Sequence, residues 1–278
     1  AEERRKQIKT TAAELLAAGI APKKTTFFVQ SEVDGHTELG WIFNTVTHVS
    51  ELERMTQFKD KSAHQEKNIN AGLLTYPILQ AADILLYKGQ LVPIGQDQIQ
   101  HLELTNDIGR WFNNRYGEFF GEVKPLLTKI PKVMSLLEPT KKMSKSLGQG
   151  HVVELADEPE TIETKLKKAV TATEGGAGAP GVQNLLLLLK EFGDAKLHVK
   201  FVDDEKNGTI RYGDLKTALA DAISKTFADF RKKRAEYLAD EKKLQKVLKA
   251  GADNAQKVAD KTMTEVRKLV EIKEKEKK

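Results

Sequence analysis

The pattern of apolar and polar positions predicts an α/β arrangement in the first part of the chain. Residues 2–18 place apolar side chains at helical spacing, and the face they form contains Ile8, Ala12, Leu15 and Leu16. The β-branched and aromatic run from Thr25 to Gln30 predicts a buried strand, and residues 36–49 predict another helix. A strand between two helices is typical of a parallel α/β sheet.

The same alternation continues up to about residue 112. Ala71 to Tyr87 is apolar on nearly every face, which predicts a buried helix. Leu91 to Ile94 predicts a short strand that ends at Gly95, and Asp97 to Phe112 predicts the helix that follows it. Each strand is therefore expected to be followed by a helix, and the strands are expected to form a parallel sheet.

The pattern changes character near residue 150. Pro159 stands where a helix can begin, and apolar positions recur after it at helical spacing. Residues 171–181 are rich in glycine and predict a linker, residues 184–192 predict a helix, and the last part of the chain has a helical apolar face. We therefore predict two domains, residues 1–150 and an all-helical domain of residues 151–278.

Composition narrows the class of protein. A chain of 278 residues can build one large domain or two smaller ones. No apolar run approaches the roughly 18 residues of a membrane span, so we expect no membrane association. The chain has no cysteine, which excludes disulfides and thiolate metal sites, and its six scattered histidines favour no metal-ligand set. These features suit a cytoplasmic protein.

The positive charge is concentrated at the end of the chain. Residues 231–278 contain 16 Lys and Arg against 9 Asp and Glu, whereas the net charge of the whole chain is +5. A basic helical end is suited to a nucleic-acid partner. The other interpretation is a solvated helix face of mixed Lys and Glu.

The most informative local motif is the segment from Lys142 to Ser146, KMSKS. Its lysines repel one another if packed together, but on a loop they can converge on an anion. Ammonium and hydroxyl groups suit a polyphosphate whose negative charge grows during displacement. Taken alone, the pentapeptide is equally compatible with a basic surface turn.

Three further segments accompany KMSKS in order along the chain: ELERMTQFKDKS (residues 51–62), GLLTYPILQAADILLY (72–87) and VPIGQDQIQHLELTND (92–107). Together with KMSKS, the signature loop of class I aminoacyl-tRNA synthetases, they closely resemble the bacterial-type tryptophanyl-tRNA synthetases. The resemblance covers essentially the whole chain and is weaker in the helical C-terminal part. It implies a Rossmann-like catalytic domain followed by a helical domain that binds the anticodon side of tRNA.

The resemblance also implies the reaction and the partners. L-tryptophan would be activated by ATP, with Mg²⁺, and transferred from the adenylate to tRNA(Trp). Members of the family are homodimers.

No signature of the HIGH type, the other half of the family's ATP site, occurs in the sequence. By the resemblance, the segment that would contain it lies before Ala1, and the activity of this chain alone is left open.

The resemblance assigns the tryptophan site to residues of the second and third segments. Asp83 matches the aspartate that accepts the indole N–H, Tyr76 and Gln80 match residues of the pocket, and Gln98 matches the residue that holds the α-amino end. The chemistry of Asp83 fits, because indole is only a donor and a charge within an apolar run needs a partner. The other interpretation of Asp83 is a helix-face residue that caps a neighbouring element.

The ATP site is assigned in the same way. Asp97 is expected to bind ribose hydroxyls, and Val133 is expected to touch adenine through its backbone. Lys142, Ser144 and Lys145 are the expected catalytic residues, because they stabilise the leaving pyrophosphate. The residues matched to ATP binding are Gly95, Gln96, Asp97, Val133, Lys142, Met143, Ser144, Lys145 and Ser146.

Three other functions remain open from the sequence. A tyrosyl-type synthetase shares the fold and also binds the substituent of its ring through an acidic residue. A non-catalytic remnant would bind tryptophan or tRNA without forming adenylate. A helical nucleic-acid-binding protein would explain only residues 205–278.

We assign no role to His36, and we interpret His101 as a packed or surface histidine.

Overall fold

The computed structural model describes residues 1–64, 69–127, 132–171 and 178–271. Short 3-10 turns lie at Gln30–Glu32, Gln96–Gln98, Lys145–Leu147 and Gln149–His151. The helices and strands of these ranges are, in order, α1 (Glu2–Ala17), α2 (Gly35–Asn44), α3 (Val49–Arg54), α4 (Thr56–His64), α5 (Ala71–Leu85), β1 (Leu91–Ile94), α6 (Ile99–Tyr116), β2 (Lys124–Leu127), α7 (Pro159–Lys168), α8 (Pro180–Phe192), α9 (Ala195–Lys206), α10 (Tyr212–Thr226), α11 (Ala228–Ala239) and α12 (Glu241–Leu269).

Two compact units divide these elements. The first unit combines Ala1–Ile20 with Ile130–Leu244, and the second unit combines Ala21–Lys129 with Gln245–Lys278. Both units are therefore built from two separate stretches of the chain. The domain boundary at residue 150 stays a prediction.

The second unit contains the parallel sheet. Strands β1 and β2 pair in parallel, with Leu91 opposite Lys124 and Ile94 opposite Leu127. This confirms the predicted α/β fold with a parallel sheet, and β1 has the predicted bounds. We did not predict β2, because KPLL contains a proline and has no alternation of apolar and polar residues.

Helices supply the core of the second unit. Helix α5 packs against α2 and α6, and its Ile78 and Leu85 are fully buried. One face of α12 enters the same core through Ala255, Ala259, Met263 and Val266. Burying a large apolar side chain contributes about 1.5–3 kcal/mol, so α12 is a structural part of this unit as well as a charged helix.

The predicted strand from Thr25 to Gln30 is wrong. Residues 25–29 belong to no helix or strand, and Gln30 begins a 3-10 turn. The segment lies against α12 at Gly251, where an added Cβ would stand 1.9 Å from the Phe27 carbonyl oxygen. Its aromatic residues are half-buried, and Phe28 packs against the core of the helices. Strand propensity largely measures packing of this kind, so aromatic residues on a helical core resemble those of a strand.

The helix predicted over residues 36–49 ends earlier than expected. Helix α2 stops at Asn44, and the hydroxyls of Thr45 and Thr47 donate to the carbonyls of Ile42 and Phe43. These local hydrogen bonds satisfy carbonyls at the end of the helix and compete with its continuation. The chain then turns into α3.

The first unit is helical around a second core. Ile162 and Leu166 of α7, Leu185 of α8 and Leu219 of α10 are almost fully buried. Helix α1 packs on α11, where Arg234 Nε donates to Glu14 Oε1 at 2.9 Å. Helices α1 and α7 are confirmed near their predicted positions. Most of the predicted linker 171–181 lies outside the described residues, and α8 begins at Pro180.

Two of the four residues predicted on the apolar face of α1 are exposed. Ala12 and Leu16 are buried, whereas Ile8 and Leu15 keep more than a third of their surface accessible. None of the helices in the described ranges combines the length and the apolarity that crossing a bilayer requires.

Replacing Gly251 with Ala should destabilise the second unit. The new methyl would overlap the Phe27 carbonyl, and overpacking of this kind costs about 1–3 kcal/mol. Urea unfolding followed by circular dichroism measures the loss. Gly213→Ala is the matched control, because Gly213 lies in α10 with no atom within 4 Å of its added Cβ. Equal stability of Gly251→Ala and the wild type would contradict the close approach.

Candidate active site

Helix α5 carries the residues assigned to tryptophan. Tyr76, Gln80 and Asp83 follow one another at spacings of four and three, so they share one face of the helix. The Asn70 side chain caps the helix by accepting from the Leu73 N–H at 3.1 Å. All three site residues are half-buried.

The carboxylate of Asp83 is the centre of a hydrogen-bond network. Gln30 Nε2 lies 2.7 Å from Asp83 Oδ1 and 2.8 Å from Oδ2. His36 Nδ1 lies 2.7 Å from the same Oδ1. On the other side of the imidazole, the Tyr87 hydroxyl lies 2.8 Å from His36 Nε2. Three segments of the chain therefore converge on one negative charge.

Burial keeps the Tyr87 hydroxyl in its protonated form. Only 4% of the His36 side chain is exposed, and its ring packs against those of Phe28 and Tyr87 at centroid distances of 5.9 and 5.4 Å. Burial, and secondarily the charge of Asp83, raise the pKa of Tyr87 from 10.0 to about 12. Tyr87 therefore keeps its proton and can donate to His36 Nε2. The carboxylate of Asp83 can only accept, so the imidazole proton lies on Nδ1, where it is donated to Asp83.

Sequence reasoning missed Gln30 and His36. His36 was assigned no role, yet it bonds to Asp83, which is 47 positions away in the sequence. The available signal was indirect: a carboxylate in an apolar run requires donors, and QSEVDGH supplies polar residues directly after an apolar stretch. His101 is buried, and its Nε2 lies 3.0 Å from the Tyr76 hydroxyl, which agrees with a packed histidine.

The turn after β1 presents the residues assigned to ribose. Gly95, Gln96 and Asp97 are exposed at the carboxyl end of the strand, where ligands bind in parallel α/β sheets. The Asp97 carboxylate folds back over Gly95, so an added Cβ would lie 2.7 Å from Asp97 Oδ1. Gln98 Nε2 donates to Asp97 Oδ2 at 3.1 Å. Glycine at position 95 therefore leaves room for the carboxylate of its own turn.

A hairpin of the first unit carries the KMSKS segment. Met134 forms an antiparallel bridge with Lys142, and Met143 N–H donates to the Val133 carbonyl at 3.0 Å. The buried Asn184 side chain pairs with both backbone groups of Met134, donating at 2.8 Å and accepting at 2.9 Å. This arrangement fixes the backbone at the base of the loop.

The loop itself is exposed at its charged positions. The Ser144 and Ser146 hydroxyls lie 2.8 Å apart, and Ser144 accepts from the Ser146 N–H. Lys145 Nζ lies 3.2 Å from Glu154 Oε2, with 76% of the lysine side chain exposed. At the hairpin turn, a hydrogen bond from Lys141 holds the pKa of Glu138 below its ordinary value.

The structure thus groups the predicted residues by unit. Tyr76, Gln80, Asp83 and Gln98 lie in the second unit with the Gly95–Asp97 turn. Val133 and the loop from Lys142 to Ser146 lie in the first unit. Among the described residues, no group of three His, Cys, Asp or Glu could hold a metal ion.

Comparison with known families identifies similar sequences. The family described as "tRNA synthetases class I (W and Y)" matches residues 1–228. The tryptophan–tRNA ligase of Bacillus anthracis is 44% identical over 269 residues, which are 94% of this chain and 80% of that protein. The tryptophan–tRNA ligase of Clostridium tetani is 42% identical over 276 residues, which are 97% of this chain and 80% of the relative.

A solved structure agrees with the sequence comparison. The crystal structure of tryptophanyl-tRNA synthetase from Campylobacter jejuni, complexed with ADP and tryptophan, superimposes with a TM-score of 0.86. It is 29% identical and covers 98% of this chain and 84% of that one.

Tyr87→Phe should make the free energy of unfolding less dependent on pH between about pH 10 and 12. The folded pKa of Tyr87 is about 12 against an ordinary 10.0, so the folded state holds this proton more tightly. Its stabilisation is complete below about pH 10 and is lost as the pH rises towards 12. Urea unfolding across this range should show a steeper decline in the free energy of unfolding for the wild type than for the variant. Parallel declines would contradict the assignment.

Proposed function

We propose roles for individual residues in a chain that belongs to the class I tRNA synthetases for tryptophan and tyrosine. Its activity is that of a tryptophan–tRNA ligase, the activity of the relatives that are 42–44% identical over more than nine tenths of the chain. The observation that carries the assignment of residues is the carboxylate of Asp83, which is held by donors and is still partly exposed on α5.

The reaction has two transfers. An oxygen of the tryptophan carboxylate attacks the α-phosphorus of ATP, the bond to the bridging oxygen breaks, and pyrophosphate leaves with that electron pair. The terminal ribose hydroxyl of the tRNA then attacks the activated carbonyl, and AMP leaves. Neither step needs a side-chain nucleophile, so the residues act by orienting reactants and by stabilising charge.

Tryptophan is selected by the half-buried polar residues of α5 and by Gln98. Asp83 accepts the indole N–H, Tyr76 and Gln80 border the ring, and Gln98 binds the α-amino end. Indole is only a hydrogen-bond donor, so an acceptor held by other donors is the matching partner. A phenylalanine ring would leave that acceptor unpaired, and a site of this kind rejects such analogues strongly.

Two sets of residues bind ATP. Asp97, beside Gly95 and Gln96, binds the ribose hydroxyls, and the backbone of Val133 meets the adenine. Lys142, Ser144 and Lys145 stabilise the leaving pyrophosphate, and Met143 and Ser146 complete the loop around the phosphates. Mg²⁺ enters with ATP, because phosphate oxygens are its preferred ligands, and no catalytic step is assigned to a protein-held metal.

The basic helices from about residue 205 onward bind the tRNA. In α11, Lys232 and Lys233 are exposed, and in the first turn of α12, Lys242 and Lys243 are exposed. Such lysines suit phosphate contacts, which supply most of the salt-dependent affinity for nucleic acids.

We propose the cytoplasm as the compartment, since the chain contains no cysteine.

Tryptophan-dependent exchange of pyrophosphate into ATP tests this proposal. Lys145→Ala should lower kcat by about 100-fold, because it removes a stabilising charge from the leaving group. Asp83→Asn should raise KM for tryptophan by roughly 10-fold or more, because an amide N–H would face the indole N–H. Lys196→Ala, an exposed lysine of α9, is the control and should leave both constants unchanged.

Each outcome has a distinct meaning. Exchange with tyrosine instead of tryptophan would contradict the substrate assignment. Tryptophan binding without exchange would favour a binding protein that lacks the activation step. Exchange that is insensitive to Lys145→Ala would remove the loop from the mechanism.

We also propose that the chain works as a homodimer. Trp41 on α2 is 72% exposed and Val49 at the start of α3 is 58% exposed, both in the second unit. Large exposed aromatic side chains are frequent anchors of protein interfaces. A second copy of the chain is the proposed occupant of this surface.

Trp41→Glu should therefore yield a monomer. A charge at the centre of an apolar interface is costly to bury without a partner, and analytical ultracentrifugation measures the mass directly. Val199→Glu is the matched control, since Val199 is similarly exposed on α9 in the first unit. A monomeric wild type, or a Trp41→Glu variant that remains a dimer, would contradict the proposal.

A further inference from the structure

We propose that His36 is a positioning residue for tryptophan selection, acting through Asp83. Its Nδ1–H holds the carboxylate so that one oxygen remains directed to the indole N–H. This inference rests on the proposed role of Asp83 and adds a residue to it. Nothing in the tryptophan contacts proposed above requires a histidine at position 36.

The first support is the number of acceptor positions on the carboxylate. An ionised carboxylate has about four lone-pair positions, two on each oxygen. Asp83 Oδ1 accepts from both His36 Nδ1 and Gln30 Nε2, at 2.7 Å each, so its positions are filled. Asp83 Oδ2 accepts from Gln30 Nε2 at 2.8 Å, which leaves one position for a further donor. The network thus specifies which oxygen faces the substrate.

The second support is the rigidity of the donor. The imidazole is almost fully buried and packs against the rings of Phe28 and Tyr87. The carboxylate of Asp83 can only accept, which selects the tautomer that carries its proton on Nδ1, and the Tyr87 hydroxyl at Nε2 opposes rotation of the ring. A donor held in this way orients its acceptor, much as an outer hydrogen bond orients a metal ligand.

The third support is the asymmetry of exposure along the network. Side-chain exposure rises from 4% at His36 to 36% at Asp83. The buried end is fixed by packing, and the exposed end is the group that a ligand can reach. Such an arrangement orients a binding group before the ligand arrives, which lowers the entropic cost of binding.

A role in packing alone is the competing explanation, and two amide substitutions separate the two. The side-chain amide nitrogen of asparagine can occupy the position of imidazole Nδ1, whereas that of glutamine reaches the position of Nε2. His36→Asn therefore keeps a donor to Asp83 and loses the contact with Tyr87. His36→Gln fills more of the space and keeps a partner for Tyr87 but gives up the donor to Asp83.

The experiment measures tryptophan affinity by isothermal titration calorimetry and KM by pyrophosphate exchange on the full chain. His36→Gln should weaken tryptophan binding by roughly 10-fold or more, since a charge-assisted hydrogen bond is lost. His36→Asn should remain within about 3-fold of the wild type. KM for ATP should not change in either variant. Equal losses in the two variants, or a larger loss in His36→Asn, would overturn the inference in favour of packing.

A substrate analogue gives a second readout. In β-(3-benzothienyl)alanine, sulfur replaces the indole N–H, so the analogue cannot donate to Asp83. The wild type should bind it weakly, and His36→Gln should bind it as the wild type does. A fall in analogue affinity equal to the fall for tryptophan would show that His36 shapes the pocket without acting through Asp83.

Asp83→Asn separates the failure of this inference from the failure of the proposed function. If Asp83→Asn weakens tryptophan binding and His36→Gln does not, Asp83 keeps its role and His36 has none. If neither substitution changes tryptophan binding, the assignment of Asp83 fails and the inference fails with it. Thermal unfolding of each variant confirms that the folded state is being compared.

Discussion

The charge of Asp83 is the constraint around which the second unit is organised. A carboxylate within an apolar helix is tolerated only if donors replace the water it has lost. The donors come from Gln30 and His36, which lie 53 and 47 positions from Asp83 in the sequence. Meeting that demand brings the turn after residues 25–29 and the start of α2 against α5. Burial, and secondarily the same charge, raise the pKa of Tyr87, so this hydroxyl keeps its proton beside His36.

In the first unit the corresponding constraint is the mutual repulsion of the loop lysines. Acidic partners offset part of it, because Lys141 lies against Glu138 and Lys145 against Glu154. These pairs are exposed and contribute little stability, so the loop depends on its base. Asn184 provides that base by pairing with the backbone of Met134 as a neighbouring strand would. The charged groups remain exposed while the backbone beneath them is fixed.

The sequence pattern predicted individual helices and strands well, but it did not predict contacts between residues that are distant in the sequence. Helix α1 followed from the spacing of its apolar residues, helix α5 from an apolar run with hardly any polar face, and strand β1 from a short apolar segment that ends at Gly95. Residues 25–30 were misread, since aromatic residues packed on helices resemble those of a strand. The motifs placed Asp83 and the loop lysines, but not His36, whose importance depends on a partner distant in the chain.

The position of α12 in the core has a consequence for how the protein is made. Glu38 pairs with Arg267, 229 residues later, and the Gly35 backbone lies beside Ala259. The apolar surfaces of α2 and α5 are therefore completed only by α12, which is synthesised long after them. Contacts between residues so distant in the chain slow folding and leave apolar surface exposed in the meantime. During synthesis α2 and α5 must wait for α12, a period in which chaperones have a surface to bind.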